Sequence, residues 1–377
     1  MKKDRSHANA RNYWMPIVCL LLVLALLATL LFVEEKYKSA DGITSGNSTA
    51  AEKIVFPEIE SEVLLCSSVA KKFYDNQMDI KTVIQTDSPY RPMVIQFNAG
   101  TLGGMVSLSE HADFSEVTEY ELQPFHTVLR LDNLKTGTEY YYKIVINGEE
   151  QSGFFKTQES TRFIYIPGTE NTRDIGGYRT MDGKIVRQGK IVRGTEIDGL
   201  EYSSYIIPGF ALESVQRTFG FVYDFDLRSK KIYTGDYQSP LGNDVGHAFY
   251  TAPQYEQIFD PVWQVNLRQI FADLANPSNY PMYMHCTWGK DRTGTIVFLL
   301  QGILNMSEED MMREYLLSAF SHPEIVNDNP MEAIVNTLNG YEGNTLQEKI
   351  VTFLTDEVGV TTEEIVSIKN ILISDGK

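Results

Sequence analysis

Residues 280–300, YPMYMHCTWGKDRTGTIVFLL, constrain the fold more than any other stretch of the 377-residue chain. An apolar run leads into a short polar segment and then into a second apolar run, which predicts a buried strand, a loop and a helix. Segments such as RFIYIPG and FVYDFDLRS read as further buried strands, and helical patterns lie between them. This alternation predicts a layered α/β domain with a central, mostly parallel sheet over residues 162–377.

A different pattern precedes this domain. Between residues 54 and 158, short alternating segments such as MVIQFNAG and EYYYKIVING are separated by turn-rich breaks, which predicts an antiparallel β-sandwich. The segment LKTGTEY resembles the fibronectin type III family, in which the tyrosine, here Tyr140, bonds back to the backbone at a corner. We assign this domain no chemistry and no particular partner; a sugar- or protein-binding module is the functional alternative.

The N-terminus carries an uncharged stretch over residues 13–33 that is long enough to cross a membrane as a helix. Basic residues precede it, so the positive-inside rule predicts a cytoplasmic tail over residues 1–12 and an extracytoplasmic catalytic domain. Residues 34–53 are small and polar and read as a linker. The predicted fold class is therefore a transmembrane helix, a fibronectin III-like β-sandwich and an α/β domain. A secreted product after signal cleavage is the alternative.

Composition limits the partners. The formal net charge of −17 argues against nucleic acid, because phosphate backbones are bound by basic surfaces. Any anionic substrate must therefore be held by a local basic pocket. The chain has three cysteines, and two of them, Cys66 and Cys286, fall in different predicted domains, so we expect no disulfide framework.

The polar loop in the opening segment has the composition of an anion site. Backbone N–H groups that lead into a helix N-terminus bind phosphate, and the helix dipole adds positive potential. The same groups and Arg292 stabilise the thiolate of Cys286, which becomes a nucleophile for phosphoryl transfer followed by hydrolysis. Thr293 is placed to hydrogen-bond the sulfur as it leaves. His285 is expected to structure the loop.

The loop sequence HCTWGKDRTG resembles the signature of the cysteine-dependent tyrosine phosphatase superfamily, and in particular the atypical bacterial branch that reads HCxxGKDRTG. Three more segments match that branch in order: NTRDIGGYRTMDGKIVRQGKIVRG, DFDLRS and FLTDEVGVTTEEIVSIKNILI. The resemblance spans nearly all of residues 162–375. It implies a phosphatase that needs no cofactor or metal and acts on phosphotyrosine, phosphoserine or phosphothreonine in proteins, or on phosphoinositides.

The resemblance also implies a set of substrate-binding residues. Lys290 favours multiply phosphorylated ligands, although a structural ion pair with Asp291 is the alternative. Arg173 and Asp174 are expected to line the cleft; the alternative is that they form an ion pair that only supports the strand. Trp288 stands where a small residue is usual. The expected substrate-binding residues are Thr287, Trp288, Gly289, Lys290, Gly294, Arg173 and Asp174.

The general acid that protonates the leaving oxygen is open in the sequence, because no Trp-Pro-Asp loop is present. Asp291, inside the loop, is the first candidate. Asp226, at a strand end, is the second, with backbone bonding as its alternative role. Asp236 and Asp244, in a glycine-rich segment that could fold over the site, are the remaining candidates.

Three functions follow from these patterns. The first is a membrane-anchored protein-tyrosine or dual-specificity phosphatase. The second is a phosphoinositide or inositol phosphate phosphatase with the same mechanism. The third, a catalytically silent binding protein, is disfavoured because Cys286 and Arg292 are both intact. At residues 192–194, VRG replaces the more usual Arg-Ser, which weakens a role for that position.

Overall fold

The computed structural model describes residues 54–79, 88–100, 102–233, 235–322 and 327–374. They belong to one compact unit that begins at Ile54. The predicted tail, membrane span and linker all lie outside the described residues.

The first part of the unit contains two small sheets, which we call the N-terminal sheets. One has five strands in the order β1-β7-β6-β3-β4, and the other pairs β2 with β5. All pairings are antiparallel except the parallel pair of β1 with β7. Buried side chains of both sheets form one apolar core. The elements are β1 (Glu62–Val63), α1 (Ser68–Tyr74), β2 (Met93–Gln96), β3 (Gly104–Ser109), β4 (Thr118–Leu122), β5 (Val128–Leu131), β6 (Glu139–Ile146) and β7 (Glu149–Thr157).

Tyr140 lies at the start of β6 and makes the bond that the sequence predicts for it. Its hydroxyl accepts a hydrogen bond from the backbone N–H of Lys135, at 2.8 Å, and its ring is buried against Phe155. The bond closes the corner that leads into β6. The resemblance to fibronectin type III itself stays a prediction.

The second part has a mixed five-stranded sheet, the catalytic sheet, in the order β12-β11-β13-β10-β8. Four strands run parallel, and the short edge strand β8 is antiparallel to β10. A separate pair joins β9 to β14. The elements are β8 (Arg173–Asp174), β9 (Ile185–Val186), β10 (Ile191–Gly194), α2 (Leu212–Phe219), β11 (Tyr223–Asp226), β12 (Gly246–Phe249), α3 (Gln264–Leu274), β13 (Met282–His285), α4 (Asp291–Ile303), α5 (Glu308–Leu316), α6 (Asn329–Leu338), α7 (Leu346–Asp356), α8 (Thr362–Leu372) and β14 (Ile373–Ser374).

Helix α4 is the centre of the largest apolar core. Every residue from Thr293 to Ile303 is buried, so this part of the helix has no solvent face, as its mostly apolar sequence predicts. β13 is buried along its whole length. The opening segment of the sequence analysis is therefore a central strand, a loop and a central helix, as predicted.

The predicted strand RFIYIPG is wrong. Phe163 forms only an isolated bridge with Arg173, and no regular strand is present there. The chain turns at Gly168, which has a φ of 79°, so the segment is too short to pair further. The apolar residues of this segment, Ile164 and Ile166, are nevertheless buried, which explains the misleading pattern.

The predicted fold class included a transmembrane helix, and this part of the prediction is wrong for the residues that the structure describes. None of the helices there is long and apolar enough to cross a membrane. The longest, α4, has 13 residues. At 1.5 Å of rise per residue this is about 20 Å, whereas a hydrocarbon core is about 30 Å thick. The apolar residues of α4 are explained by burial in the protein core.

Arg162 joins the N-terminal sheets to the catalytic sheet. Its guanidinium is 2.8 Å from Asp174 of β8, and it also donates to the backbone carbonyls of Leu134 and Asn133, at 3.2 and 2.6 Å. The side chain of Arg162 is 7% exposed and that of Asp174 is fully buried. A buried charge pair of this kind is costly to break, because the remaining partner is left unpaired in a low-dielectric interior.

We expect Arg162→Ala to lower the free energy of unfolding by about 3 kcal/mol, since Asp174 would lose its buried counter-ion. Urea denaturation measures the change. The matched control is Arg179→Ala, which removes a pair with Glu159 whose side chains are 59% and 53% exposed, and which we expect to cost under about 1 kcal/mol. Similar costs for the two substitutions would contradict the joining role of Arg162.

Candidate active site

The loop of residues 286–290 connects β13 to α4 and lies at the carboxyl end of the catalytic sheet. In the sheet register, Gly194 of β10 and Asp226 of β11 lie directly beside His285, the last residue of β13. The carboxyl ends of parallel strands form the edge where α/β folds bind ligands. The loop is therefore placed at this edge by strand pairing alone.

Cys286 and Arg292 occupy the two ends of this loop. Cys286 is 2% exposed. Arg292 is in the first turn of α4, and one of its terminal nitrogens donates to the hydroxyl of Thr287, at 2.9 Å. That hydroxyl donates in turn to the carboxylate of Glu201. These bonds hold the guanidinium next to the loop that begins with the cysteine.

Thr293 follows Arg292 and is fully buried. Its hydroxyl has no hydrogen-bond partner among the described residues. Buried hydroxyls are almost always paired, so an unpaired one at this position is free for a reacting atom. The hydroxyl makes no hydrogen bond to the sulfur of Cys286 in this structure, so the predicted bond to the leaving sulfur stays a prediction.

Two glycines let the loop lie against β10. Gly289 has a φ of 62°, and a Cβ there would stand 2.2 Å from the carbonyl oxygen of Gly194. A Cβ on Gly194 would in turn stand 2.2 Å from the hydroxyl of Tyr283. Both positions therefore require glycine, for conformation at one and for space at both. The departure from the usual Arg-Ser at residues 192–194 is therefore explained by Tyr283 of β13, which leaves no room for a side chain at Gly194.

The sequence analysis missed Arg193, which lies beneath the loop in β10. The side chain is fully buried, and it donates to the carbonyl of Gly289 and to the carboxylate of Glu314, the latter at 2.7 Å. Burial and the charge of Arg173 lower the pKa of Arg193 to about 10, against the attraction of Glu314. An arginine inside an otherwise apolar strand, IVRG, was the signal for this role. It corrects the inference that VRG at residues 192–194 weakens a role for that position.

Arg173 and Asp174 are held in ion pairs inside the protein. The guanidinium of Arg173 is 2.7 Å from Glu314, and Asp174 pairs with Arg162. Both are at most 1% exposed. The geometry therefore fits the bracing alternative that the sequence left open for this pair. Next to them, the side chain of Asn171 donates to the carbonyl of Trp288, at 3.1 Å, and supports the loop from that side.

His285 lies immediately before the cysteine and is fully buried. Its Nε2 is 2.9 Å from Asp224 and 3.9 Å from Asp226. Burial disfavours the imidazolium, but the charge of Asp226 and the hydrogen bond to Asp224 outweigh it and raise the pKa of His285 to about 9. The ring is therefore positively charged at neutral pH. Its Nδ1 lies 3.3 Å from the backbone carbonyl oxygen of Cys286, so the ring contacts the start of the loop and adds a cation there, while its loop-structuring role stays a prediction.

Asp226 is bound on the other side by Arg228. The guanidinium of Arg228 is 2.7 Å from Asp226 and 2.6 Å from Asp198, and it also pairs with Glu196. Burial opposes ionisation, but the charges of His285 and Arg228 lower the pKa of Asp226 below its usual value. An ionised, fully buried carboxylate has no proton to donate. The geometry thus favours a bracing role for Asp226 over a role as general acid.

Lys290 and Asp291 form an ion pair of 2.9 Å at the start of α4. The side chain of Lys290 is 8% exposed and that of Asp291 27%. The carboxylate also accepts a hydrogen bond from the hydroxyl of Tyr255. Of the four candidate acids, Asp291 alone lies in the loop region, and Asp236 and Asp244 are exposed residues outside it.

Trp288 is 36% exposed, and its ring stacks on His322, with centroids 5.3 Å apart. It therefore packs beside the loop. Gly294, in the first turn of α4, abuts a buried tyrosine: a Cβ there would be 2.9 Å from the ring of Tyr315. The sequence-predicted residues that the structure brings together in and around the loop are His285, Cys286, Thr287, Trp288, Gly289, Lys290, Asp291, Arg292, Thr293 and Gly294.

This arrangement defines a class of enzyme. A buried cysteine at the carboxyl end of a parallel sheet, joined by a short loop to an arginine in the first turn of a buried helix, is the phosphate site of a cysteine-type phosphatase. The model of the tyrosine phosphatase family matches residues 164–374, more than half of the chain. The chain belongs to this family and is a phosphoric monoester hydrolase.

Among solved structures, the chain is similar to the core catalytic domain of the PP-IP phosphatase SIW14 from S. cerevisiae, in complex with citrate. The match has 17% sequence identity and a TM-score of 0.25, and it covers 40% of this chain and 88% of that one.

The charge of His285 makes stability depend on pH. The folded-state pKa of about 9 lies above the ordinary histidine value of about 6.5. The stabilisation is therefore fully present below about pH 6.5 and is lost as the pH rises to about 9, with a total on the order of 3 kcal/mol. Urea unfolding at pH 6 and 9.5 measures the loss. We expect a smaller loss in His285→Gln, and an equal loss in both proteins would contradict the assignment.

Proposed function

We propose that the protein is a protein-tyrosine phosphatase that hydrolyses phosphotyrosine through a cysteinyl-phosphate intermediate. The observation that carries the proposal is the placement of Cys286, Arg292 and Thr293 around one loop that leads into a buried helix. In the first step, the sulfur of Cys286 attacks phosphorus while the ester oxygen leaves. In the second step, water attacks phosphorus and the sulfur leaves, with the hydroxyl of Thr293 stabilising it.

Arg292 binds the phosphoryl oxygens in both steps, because a planar guanidinium matches two of them at once. Asp291 supplies the proton to the leaving oxygen and recovers a proton from the attacking water. Asp291 suits this role because it is partly exposed and adjacent to Arg292, whereas Asp226 is buried and ionised.

The charges around the loop support a substrate with a single phosphate. The side chain of Lys290 is 8% exposed and its ammonium lies 2.9 Å from Asp291, so little of it is open to a second phosphate. Glu201 adds a carboxylate that contacts Thr287, the partner of Arg292. A second or third phosphate would meet that carboxylate and be repelled. These contacts favour a phosphoprotein over a phosphoinositide or inositol phosphate.

Exposed aromatic rings support an aryl phosphate in particular. Trp288 belongs to the loop itself, and Tyr202, 51% exposed, follows Glu201. Rings of this kind stack on the phenyl group of phosphotyrosine, which phosphoserine and phosphothreonine lack.

Parallel assays of the reduced protein on a phosphotyrosine peptide, a phosphoserine peptide and a phosphoinositide test the substrate class. We expect kcat/KM to be highest for the phosphotyrosine peptide. Glu201→Gln is the matched variant: it removes one negative charge, so it should improve turnover of the phosphoinositide more than that of the peptide. A higher kcat/KM for the phosphoinositide in the wild-type protein would overturn the proposal in favour of the lipid.

Substitutions at the two ends of the loop test the chemistry. Cys286→Ser should abolish turnover and retain binding of a labelled phosphotyrosine peptide, because the loop amides and Arg292 remain. Arg292→Lys should lower kcat by roughly 100-fold or more, since an ammonium cannot bind two oxygens in a plane. Steady-state kinetics and fluorescence polarisation measure the two effects, and the exposed Arg179→Lys is the control. Near wild-type turnover in either loop variant would refute the mechanism.

A further inference from the structure

Tyr255 has an unusual backbone conformation close to the active site. It is the first residue of a short 3₁₀ helix, Tyr255–Phe259, and its φ is 55°. This left-handed region is rare for bulky side chains, so the surrounding structure must hold the residue in place. Strained residues of this kind concentrate at functional sites, and the contacts of Tyr255 show which site is served.

Both the backbone and the side chain of Tyr255 bind the first turn of α4. Its N–H donates to the hydroxyl of Thr295, at 2.8 Å, and that hydroxyl donates to the backbone carbonyl of Asp291, at 2.9 Å. Its own hydroxyl donates to the side chain of Asp291 and lies 3.0 Å from the hydroxyl of Tyr315. The strained conformation therefore positions one phenol against one carboxylate.

Tyr255 and Lys290 contact the same oxygen of Asp291. The hydroxyl of Tyr255 and the ammonium of Lys290 both contact Oδ1, the latter at 2.9 Å. No residue in the described part of the chain donates to Oδ2. An oxygen that already accepts a hydrogen bond and lies 2.9 Å from an ammonium is a poor place for a proton, so a proton carried by this carboxyl group resides on Oδ2.

Nothing in the fold of α4 itself requires this phenol. The helix is buried from Thr293 to Ile303 and packs in the main core. Tyr315 fills the space against Gly294. The hydroxyl of Tyr255 thus contributes orientation to Asp291 in addition to packing.

We propose that Tyr255 is a positioning residue for the general acid of this enzyme: its hydroxyl fixes Oδ1 of Asp291, so that Oδ2 exchanges the proton. The inference rests on the proposed function, in which Asp291 is that acid. In the first step the S–P bond forms, the ester O–P bond breaks and the Oδ2 proton passes to the ester oxygen. In the second step water gives a proton to Oδ2 while its oxygen binds phosphorus and the S–P bond breaks.

The dependence on leaving group tests this role. A poor leaving group needs the proton, whereas a good one departs without it. We expect Tyr255→Phe, which keeps the ring and removes the hydroxyl, to lower kcat/KM for phenyl phosphate about tenfold and to change that for dinitrophenyl phosphate by less than about twofold. If Tyr255→Phe lowers kcat/KM equally for both substrates, the inference is overturned, because a purely structural role does not distinguish the two leaving groups.

Two further variants sharpen the experiment. Tyr341→Phe is the matched control: its ring packs against Phe259 of the same 3₁₀ helix, and its hydroxyl makes no hydrogen bond within the described ranges. Tyr341→Phe should leave kcat/KM unchanged for both substrates. Asp291→Asn should show a larger dependence on the leaving group, and Tyr255→Phe should add little to it. An undiminished effect of Tyr255→Phe in the Asp291→Asn background would also overturn the inference.

The outcomes separate the inference from the proposed function. A dependence on leaving group in Asp291→Asn but not in Tyr255→Phe would refute only the role of Tyr255. Absence of that dependence in Asp291→Asn would refute the acid role of Asp291 and the inference with it. The phosphotyrosine specificity of the wild-type protein is measured independently of both.

Discussion

The buried carboxylate of Glu314 is the interaction on which the catalytic loop depends. It binds two buried arginines, Arg173 and Arg193, each at 2.7 Å. A guanidinium without a partner is too costly to bury, so Glu314 is what allows Arg193 to lie under the loop. Arg193 then holds the carbonyl of Gly289, and the close approach of the loop to β10 leaves room only for glycine. The position of the loop is therefore set by residues of helix α5 and strand β10, which are distant from the loop in the sequence.

A second set of charges supports the strand that carries the cysteine. Asp224 and Asp226 hold His285 as a cation, and Arg228 neutralises much of the remaining negative charge. Together with Arg193, this places two buried cations beside the loop of a chain whose formal net charge is −17. The local field, not the total charge, decides whether an acidic protein binds phosphate, because buried charges are screened far less than surface ones.

The strand, loop and helix of the site were predictable because hydrophobic period and loop composition are local properties. The N-cap of α8 has a local origin too, because Thr361 and Glu364, three positions apart, form a capping box. Segment length and apolar composition gave two wrong predictions. The segment RFIYIPG is apolar because it is buried, but the chain turns at Gly168 and the predicted strand does not form. No helix within residues 54–79, 88–100, 102–233, 235–322 and 327–374 is long and apolar enough to be the predicted membrane span.

The sequence by itself predicted the nucleophile, the phosphate-binding arginine and the α/β domain, because these predictions rest on residues within ten positions of one another and on hydrophobic period. Only the tertiary structure decided which charges support them. Arg193 and Glu314 are 121 positions apart, and Tyr255 and Asp291 are 36 apart. Such pairs form because separate elements pack together, and the neighbouring charges that result lower the pKa of Asp226 even though burial opposes its ionisation.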